Sequence, residues 1–571
     1  MTPGKSSIYE IFNGTRVFEI PFYQRSYVWG EKQWERLLAD MVNVSHRTKN
    51  YFLGAIILKQ TSTSAATQGD HKIVIDGQQR LTTLAIFLKV YALKTDTNEW
   101  FNRKFMLPNG SLAILHSHVD RTDFQQVMNL TSISQEVTGT SNIIKAYQYF
   151  KEQLNSEQLD EVRLNNNVQV IDIVIDENDD EQQIFDTINS LGVDLTTAEL
   201  LKNHLFTERT IDKYELLWKP VFENDEDCIS FWAQNLLKGR TKRKNIEAFL
   251  NAFLQIKVHE SSIEVATEDK IEYAKAGALF YSYKDFIGKY YKGREFDLVE
   301  ELVQYAKIYQ HTFSPKIIET SLSYEPSIDR INFLIFAADN TTLIPYIMYI
   351  IKNVADEEER NRIYDFLESY IVRRLICKKS TKSYSDLFSE NLINADVKTR
   401  DALVAYFDIK DSTNALAIPT DEEVERNFME AEHPNYRALS ILYLLESRMR
   451  NTHLLSTQLM KYSVYTLEHL MPQKWMSNWP LAESGNADWR THLVRTLGNC
   501  TMITQALNST ISNDKWYVKL EGKNNKGGLK TYANGLLTLD GVLTRDSWDE
   551  NSIIERSKHL ARQACRVWPT M

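Results

Sequence analysis

The chain has 571 residues, 43% of them hydrophobic and 25% charged, with a formal net charge of −10. That length is too great for one core, so two to four domains are expected, and the composition excludes a disordered, fibrous or membrane-spanning chain. No run approaches the roughly 18 apolar residues that cross a bilayer, and the N-terminus lacks the apolar segment of a signal peptide, so the expected location is cytoplasmic.

Residues 1–210 are predicted to be mixed α/β. Ser6 or Ser7 is placed to cap a short helix holding Ile8, Ile11 and Phe12. Val17–Ile20 forms a strand ended by Pro21. A polar and aromatic loop follows from Tyr23 to Gly30, then a helix with Trp34, Leu37, Leu38 and Met41 on one side. Phe52–Leu58 forms a buried strand, and residues 60–70 a loose hairpin. Lys72–Ile75 forms another strand, which Asp76-Gly77 turns into a helix beginning near Gln79. Val168–Ile175 is a further strand, followed by an acidic turn at Asp176–Asp180. A helix through Ile184, Phe185, Ile188 and Asn189 comes next, then one over Ala198–Phe206 capped by Thr196 or Thr197.

Residues 211–430 are almost wholly helical in pattern, with few Gly, Pro or strand signals. They are expected to couple the two ends of the chain. In residues 431–571 a strand over Tyr462–Leu467 leads into Glu468-His469. A Trp-rich insert follows, then a strand over Cys500–Ile503, a helix opened by Asn508, and a last amphipathic helix over Ile553–Val567. Cys228, Cys377, Cys500 and Cys565 are far apart with no CxxC pair, which suggests buried free thiols rather than zinc or disulfide sites. From Ala431 onward the charge is about +5, leaving about −15 on the rest, which suits a locally basic nucleic-acid module on an acidic body.

Two constellations carry chemistry. The first is Glu468-His469-Leu470-Met471-Pro472-Gln473, followed by Leu497-Gly498-Asn499 and by Asn508. A neutral imidazole can take a proton from water near neutral pH. One hard divalent cation on oxygen ligands can neutralise charge on a scissile phosphate. A His beside a carboxylate, then two Asn at this interval, is the residue set of a one-metal nuclease of the HNH type, in which a ββα-metal hairpin delivers base and ligands. The second is Ile75-Asp76-Gly77-Gln78-Gln79-Arg80 at a strand-to-helix turn. Free backbone N–H groups and the positive helix end there suit a phosphate. Gly77 permits close backbone approach, Arg80 can fork onto phosphate oxygens, and Asp76 can hold a cation or a ribose. Gly4-Lys5-Ser6 lacks the first Gly and preceding strand of a phosphate loop. The basic runs Lys238–Lys244 and Arg373-Arg374 with Lys378-Lys379 are candidate DNA-backbone contacts.

Both ends resemble the GmrSD-type modification-dependent restriction endonucleases. The C-terminal resemblance rests on Glu468–Gln473, Leu497–Thr504, Leu507-Asn508-Ser509 and Ser512-Asn513. It implies His469 as general base, Glu468 and Asn508 as metal ligands, Asn499 as the residue orienting the loop around the base, and Asn513 and Lys519 as helpers near the phosphate. The N-terminal resemblance rests on Ile20–Trp29, Tyr51–Gly54, Ile75–Leu84, Ile184–Gly192, Leu195-Thr196 and Lys202-Asn203. It implies a fold related to ParB and sulfiredoxin that binds, and often hydrolyses, a nucleoside triphosphate (GTP or ATP). The implied contacts are Arg25, Asp76, Gly77, Gln78, Gln79 and Arg80, with Tyr27 and Trp29 stacking on a base or lining a pocket for a modification.

The expected fold class is therefore multidomain α+β. A ParB/sulfiredoxin-like domain spans 1–210, a helical coupling domain 211–430, and an HNH nuclease domain 431–571. The expected function is a nucleotide-regulated endonuclease or nickase using one Mg²⁺ or Mn²⁺ against foreign, modified double-stranded DNA, with no membrane partner and a homodimer as one assembly. Alternatives are a nucleotide-dependent sensor with a silent nuclease, and an RNA-cleaving toxin.

Overall fold

The computed structural model describes residues 2–21, 24, 26–47, 49–60, 70–175, 196–236, 243–408, 415–450, 457–481, 483 and 485–570. Expectations for Tyr23, Arg25, the hairpin tip, the turn and helix within 176–195, and Lys238–Lys242 lie outside the described residues. Packing divides the chain into two compact units, Met1–Asp212 and Lys213–Met571.

The first unit is built on six strands: β1 Thr2–Ser7, β2 Arg16–Glu19, β3 Tyr51–Gln60, β4 Asp70–Asp76, β5 Ile114–Leu115 and β6 Val168–Ile175. Their order across the sheet is β1-β6-β3-β4-β2-β5. The β1/β6 and β3/β4 pairs are antiparallel; β3/β6, β2/β4 and β2/β5 are parallel. Local chemistry sets the helix starts. Ser7 accepts from the Glu10 N–H while Glu10 reaches back to the Ser7 N–H, and Thr196 and Glu199 repeat this box. Helix α1, Gln78–Lys94, is buried nearly all round, from Leu81 to Leu93. Its sequence has no polar stripe because it runs through the middle of the unit. Its Phe87 and Val90 share one core with Phe101, Phe105, Phe124 and Phe150.

The second unit is mostly helical. Helix α2, Glu357–Ile376, lies at its centre, with Ile363, Leu367, Tyr370, Ile371 and Val372 buried. Glu368, 1% exposed, accepts from both Arg330 Nε and Nη2 at 2.7 Å and from Trp568 Nε1 at 2.9 Å. Arg373 Nη1 donates to the Trp568 carbonyl at 2.7 Å, and Ser369 Oγ to that of Pro569 at 3.0 Å. Residues 211–430 and 431–571 thus pack into one unit, tied where the last helix ends. The Arg373 and Arg374 guanidiniums are not DNA contacts: both are 1% exposed and donate to backbone carbonyls in the interior. Cys377 and Cys500 are buried, whereas Cys228 and Cys565 are only partly so.

The C-terminal strands form a two-stranded antiparallel hairpin, β7 Tyr465–His469 and β8 Cys500–Thr504, with His469 opposite Cys500. The first strand starts at Tyr465, not Tyr462, because Tyr462–Val464 turns into a 3₁₀ helix. Helix α3, Gln505–Ile511, follows at once; Thr504 caps it, so Asn508 lies mid-helix rather than opening it. Behind the hairpin run α4, Trp516–Glu521, and α5, Glu550–Val567. No described helix is long and apolar enough to cross a membrane.

Candidate active site

Asn499 organises the C-terminal site from within. It is fully buried, its Nδ2 donates to the carbonyls of Met471 (2.7 Å) and Val494 (2.8 Å), and its Oδ1 accepts from Met471 N–H (2.9 Å) and Trp548 Nε1 (3.0 Å). Its own carbonyl takes the Leu470 N–H at 2.8 Å. One side chain therefore pins the chain just after His469 from both sides. Arg556, also buried, donates to the carbonyls of Gly498 (2.7 Å) and Cys500 (2.8 Å), holding the start of β8. Gly498 is required here: a Cβ would lie 1.9 Å from Ser557 Oγ and 2.7 Å from the Ile553 carbonyl of α5.

His469 is the last residue of β7, half-buried, and its imidazole is pushed down to about 4 by burial, then by Lys519 and Arg495. It is neutral at physiological pH. Gln473 Nε2 sits 3.0 Å from His469 Nε2; an amide N–H donates, so the lone pair is on Nε2. Asn508 Nδ2 donates to Thr466 Oγ1 (3.2 Å) and the Leu467 carbonyl (3.3 Å). Those two bonds hold the Asn508 amide against β7. Thr466 and Glu468 share a face of the strand by its two-residue period, so Asn508 docks beside Glu468.

Glu468 is the surprise. Its carboxylate is buried and contacts the ammonium of Lys519, which is fully buried on α4 and also donates to the His469 carbonyl at 2.9 Å. Burial pushes the Glu468 carboxyl up against the opposing pull of Lys519, and pushes the Lys519 ammonium down against that of Glu468. Lys519 is thus an ion-pair partner inside the site rather than a group reaching for a phosphate. The Asn513 carbonyl accepts from Asn478 Nδ2 at 3.0 Å. Among the described residues no three His, Cys, Asp or Glu side chains converge on a metal position. The donors that fit a cation are one Glu468 carboxylate oxygen and the Asn508 amide oxygen, both hard, with the remaining positions left to water and phosphate as Mg²⁺ prefers.

The N-terminal turn has the expected form. β4 ends at Asp76, Gly77 takes φ +101°, and α1 starts at Gln78 without a side-chain cap. A Cβ on Gly77 would lie 2.5 Å from Ile56 Cγ2. Arg80 Nη2 donates to the Ala55 carbonyl (2.6 Å) and to Asp76 (2.7 Å). Gln78 is buried. The Gln79 amide holds loop 26–29: its oxygen accepts from the N–H groups of Val28 and Trp29, and its nitrogen donates to the Ser26 carbonyl. In this conformation Tyr27 offers no stacking face. It is 3% exposed, shares its hydroxyl with Thr83 and Trp34, and its N–H reaches Asp120 at 2.7 Å. Trp29 is partly exposed at the edge of the same loop. Thr83 and Trp34 are anchors the motif reading passed over; Thr83 stands four residues after Gln79, one helical turn on.

The hairpin thus brings an imidazole and a carboxylate together beside a helix amide, in the net-positive last quarter of the chain. Residues 8–206 match the GmrSD restriction endonuclease N-terminal domain, and residues 418–563 match the C-terminal domain of GmrSD restriction endonucleases. The chain belongs to the GmrSD restriction endonuclease family, and with it to the DNA endonucleases that act in defence. No curated protein matches it significantly.

Proposed function

We propose that the protein cuts or nicks foreign, modified DNA through an HNH-type site at His469, regulated by a nucleoside triphosphate held at the Asp76–Arg80 turn of a ParB/sulfiredoxin-like domain. The observation that carries the nuclease reading is the neutral His469 imidazole at the end of β7, clamped by Asn499 and flanked by Asn508. His469 Nε2 takes the proton of a water that displaces the Gln473 amide. The hydroxide attacks phosphorus as the departing oxygen leaves. Asn499 keeps the imidazole aimed by fixing the Leu470-Met471 backbone. Glu468 and Asn508 would hold one Mg²⁺ or Mn²⁺, which supplies positive charge to the phosphate and the departing oxygen. At the other end Gly77, the first turn of α1 and Arg80 would face phosphate oxygens, and Trp29 remains the aromatic candidate for a base or its modification.

The test is cleavage of plain and modified phage DNA with Mn²⁺, with and without GTP or ATP. His469→Ala is expected to lower the rate by roughly 10²–10⁴-fold while nucleotide binding persists, and Arg80→Ala to weaken nucleotide binding. Equal cutting by wild type and His469→Ala would overturn the assignment. The competing reading, a sensor with a silent nuclease, draws on Lys519 filling the carboxylate side of the site; it is favoured if wild type binds such DNA and cuts none.

A further inference from the structure

We infer that Lys519 makes cation loading at the nuclease site depend on bound DNA, because its side chain cancels the charge of the one carboxylate the site possesses. This deepens the one-cation reading above and rests on it. Glu468 and Lys519 are in contact and both buried. As an ion pair the two carry no net charge. The other groups facing this point add no negative charge. The His469 imidazole carries no negative charge in either protonation state, and Asn508 is an amide. Asp514, on the turn before α4, is paired with Lys523 at 2.5 Å. Arg495, beyond His469, is positive and shares Glu432 with His492. Among the described residues no group of three or more His, Cys, Asp or Glu side chains could hold a metal ion.

A divalent cation entering this site meets a neutral donor set with an ammonium already on the carboxylate. Its repulsion from that ammonium at contact distance exceeds ten-fold in affinity even with strong solvent screening. The scissile phosphate carries the negative charge that is missing. Cation and DNA therefore bind cooperatively at this site, and by linkage each tightens the other by the same factor. The consequence is a nuclease that stays unloaded, and so inactive, until a DNA backbone is seated.

The experiment measures Mn²⁺ uptake by electron paramagnetic resonance on full-length His469→Ala protein, alone and with DNA that the wild-type protein cuts, corrected for Mn²⁺ on the DNA itself. Mn²⁺ is expected to bind at least ten-fold more tightly when DNA is present. Lys519→Met in the same background is expected to tighten Mn²⁺ binding at least ten-fold without DNA and to shrink the DNA effect; Lys519→Arg, which keeps the charge, should behave like the parent. A merely damaged site would bind more weakly, the opposite direction. Equal Mn²⁺ affinity with and without DNA overturns the inference while leaving the nuclease reading intact. A folded Lys519→Met that binds no tighter overturns it as well. If Lys519→Met fails to fold, the comparison with and without DNA decides alone. No Mn²⁺ uptake under either condition, with DNA that is nonetheless cut, removes the one-cation reading and the inference with it.

Discussion

At the residue scale, Asn499 shows how one buried amide can hold the chain beside His469. It makes four hydrogen bonds in a dry interior, and Ala at this position would leave the carbonyls of Met471 and Val494 and the N–H groups of Met471 and Trp548 without partners. Each orphaned group costs about 1–3 kcal/mol unless water enters. Asn499→Ala is therefore expected to lower stability by about 4 kcal/mol or more and to lose cleavage, read by denaturant unfolding beside activity. Asn499→Asp keeps the acceptors but loses both donors and buries a charge, so it should not rescue. Cleavage at wild-type rate in a folded Asn499→Ala would show that the clamp does not aim His469. The strand end at His469 was legible in the sequence because the local pattern marks it. The state of Glu468 was not: Lys519 lies 51 positions away, and only the packing of α4 on β7 brings the two together.

At the element scale, the last helix and α2 are linked by a buried polar network. Trp568 is fully buried and bonded to Glu368, while its carbonyl holds Arg373. Truncating a buried Trp costs about 3–5 kcal/mol, and here it also removes a donor from a buried carboxylate. Trp568→Ala is expected to destabilise residues 213–571 by at least that amount, seen as an earlier unfolding transition; an unchanged midpoint would show that α5 is held by its apolar face alone. Most helices and strands were readable from periodicity and caps, as at Ser7, Thr196 and the buried run of α1. The errors fall where pattern and packing diverge. Tyr462–Val464 has strand-like residues but turns, and Arg373-Arg374 reads as a surface patch although both side chains go inward to bare carbonyls at helix and loop ends.

At the scale of the whole molecule, buried histidines set an acid limit. Burial lowers His116 to about 3 in the first unit, and His259 and His433 to about 4 in the second. Each folded value lies below the unfolded 6.5. Between these values the unfolded chain binds the extra proton, so the stabilisation is complete above about 6.5 and is lost as pH falls toward 3–4. Each group contributes a slope of up to about 1.4 kcal/mol per pH unit. Thermal unfolding followed from pH 7.5 to 5 should show falling midpoints, steeper for the transition of residues 213–571, which holds two of these three. Midpoints flat over that range would mean that these rings already accept protons in the fold.

The sequence by itself determined the family, the strand-to-helix turn at Asp76-Gly77, the strand that ends at His469, and the helical character of the middle, because these depend on residues close along the chain or on motifs of strict spacing. The tertiary structure alone decided which side chains are free to act. It buried Tyr27 and Gln79 as supports of a loop, joined 211–430 and 431–571 in one packed unit, and set Lys519 against Glu468. The physical reason is that burial and charge pairing are made between positions far apart in the chain, and neither residue type nor local pattern records which partner will meet it.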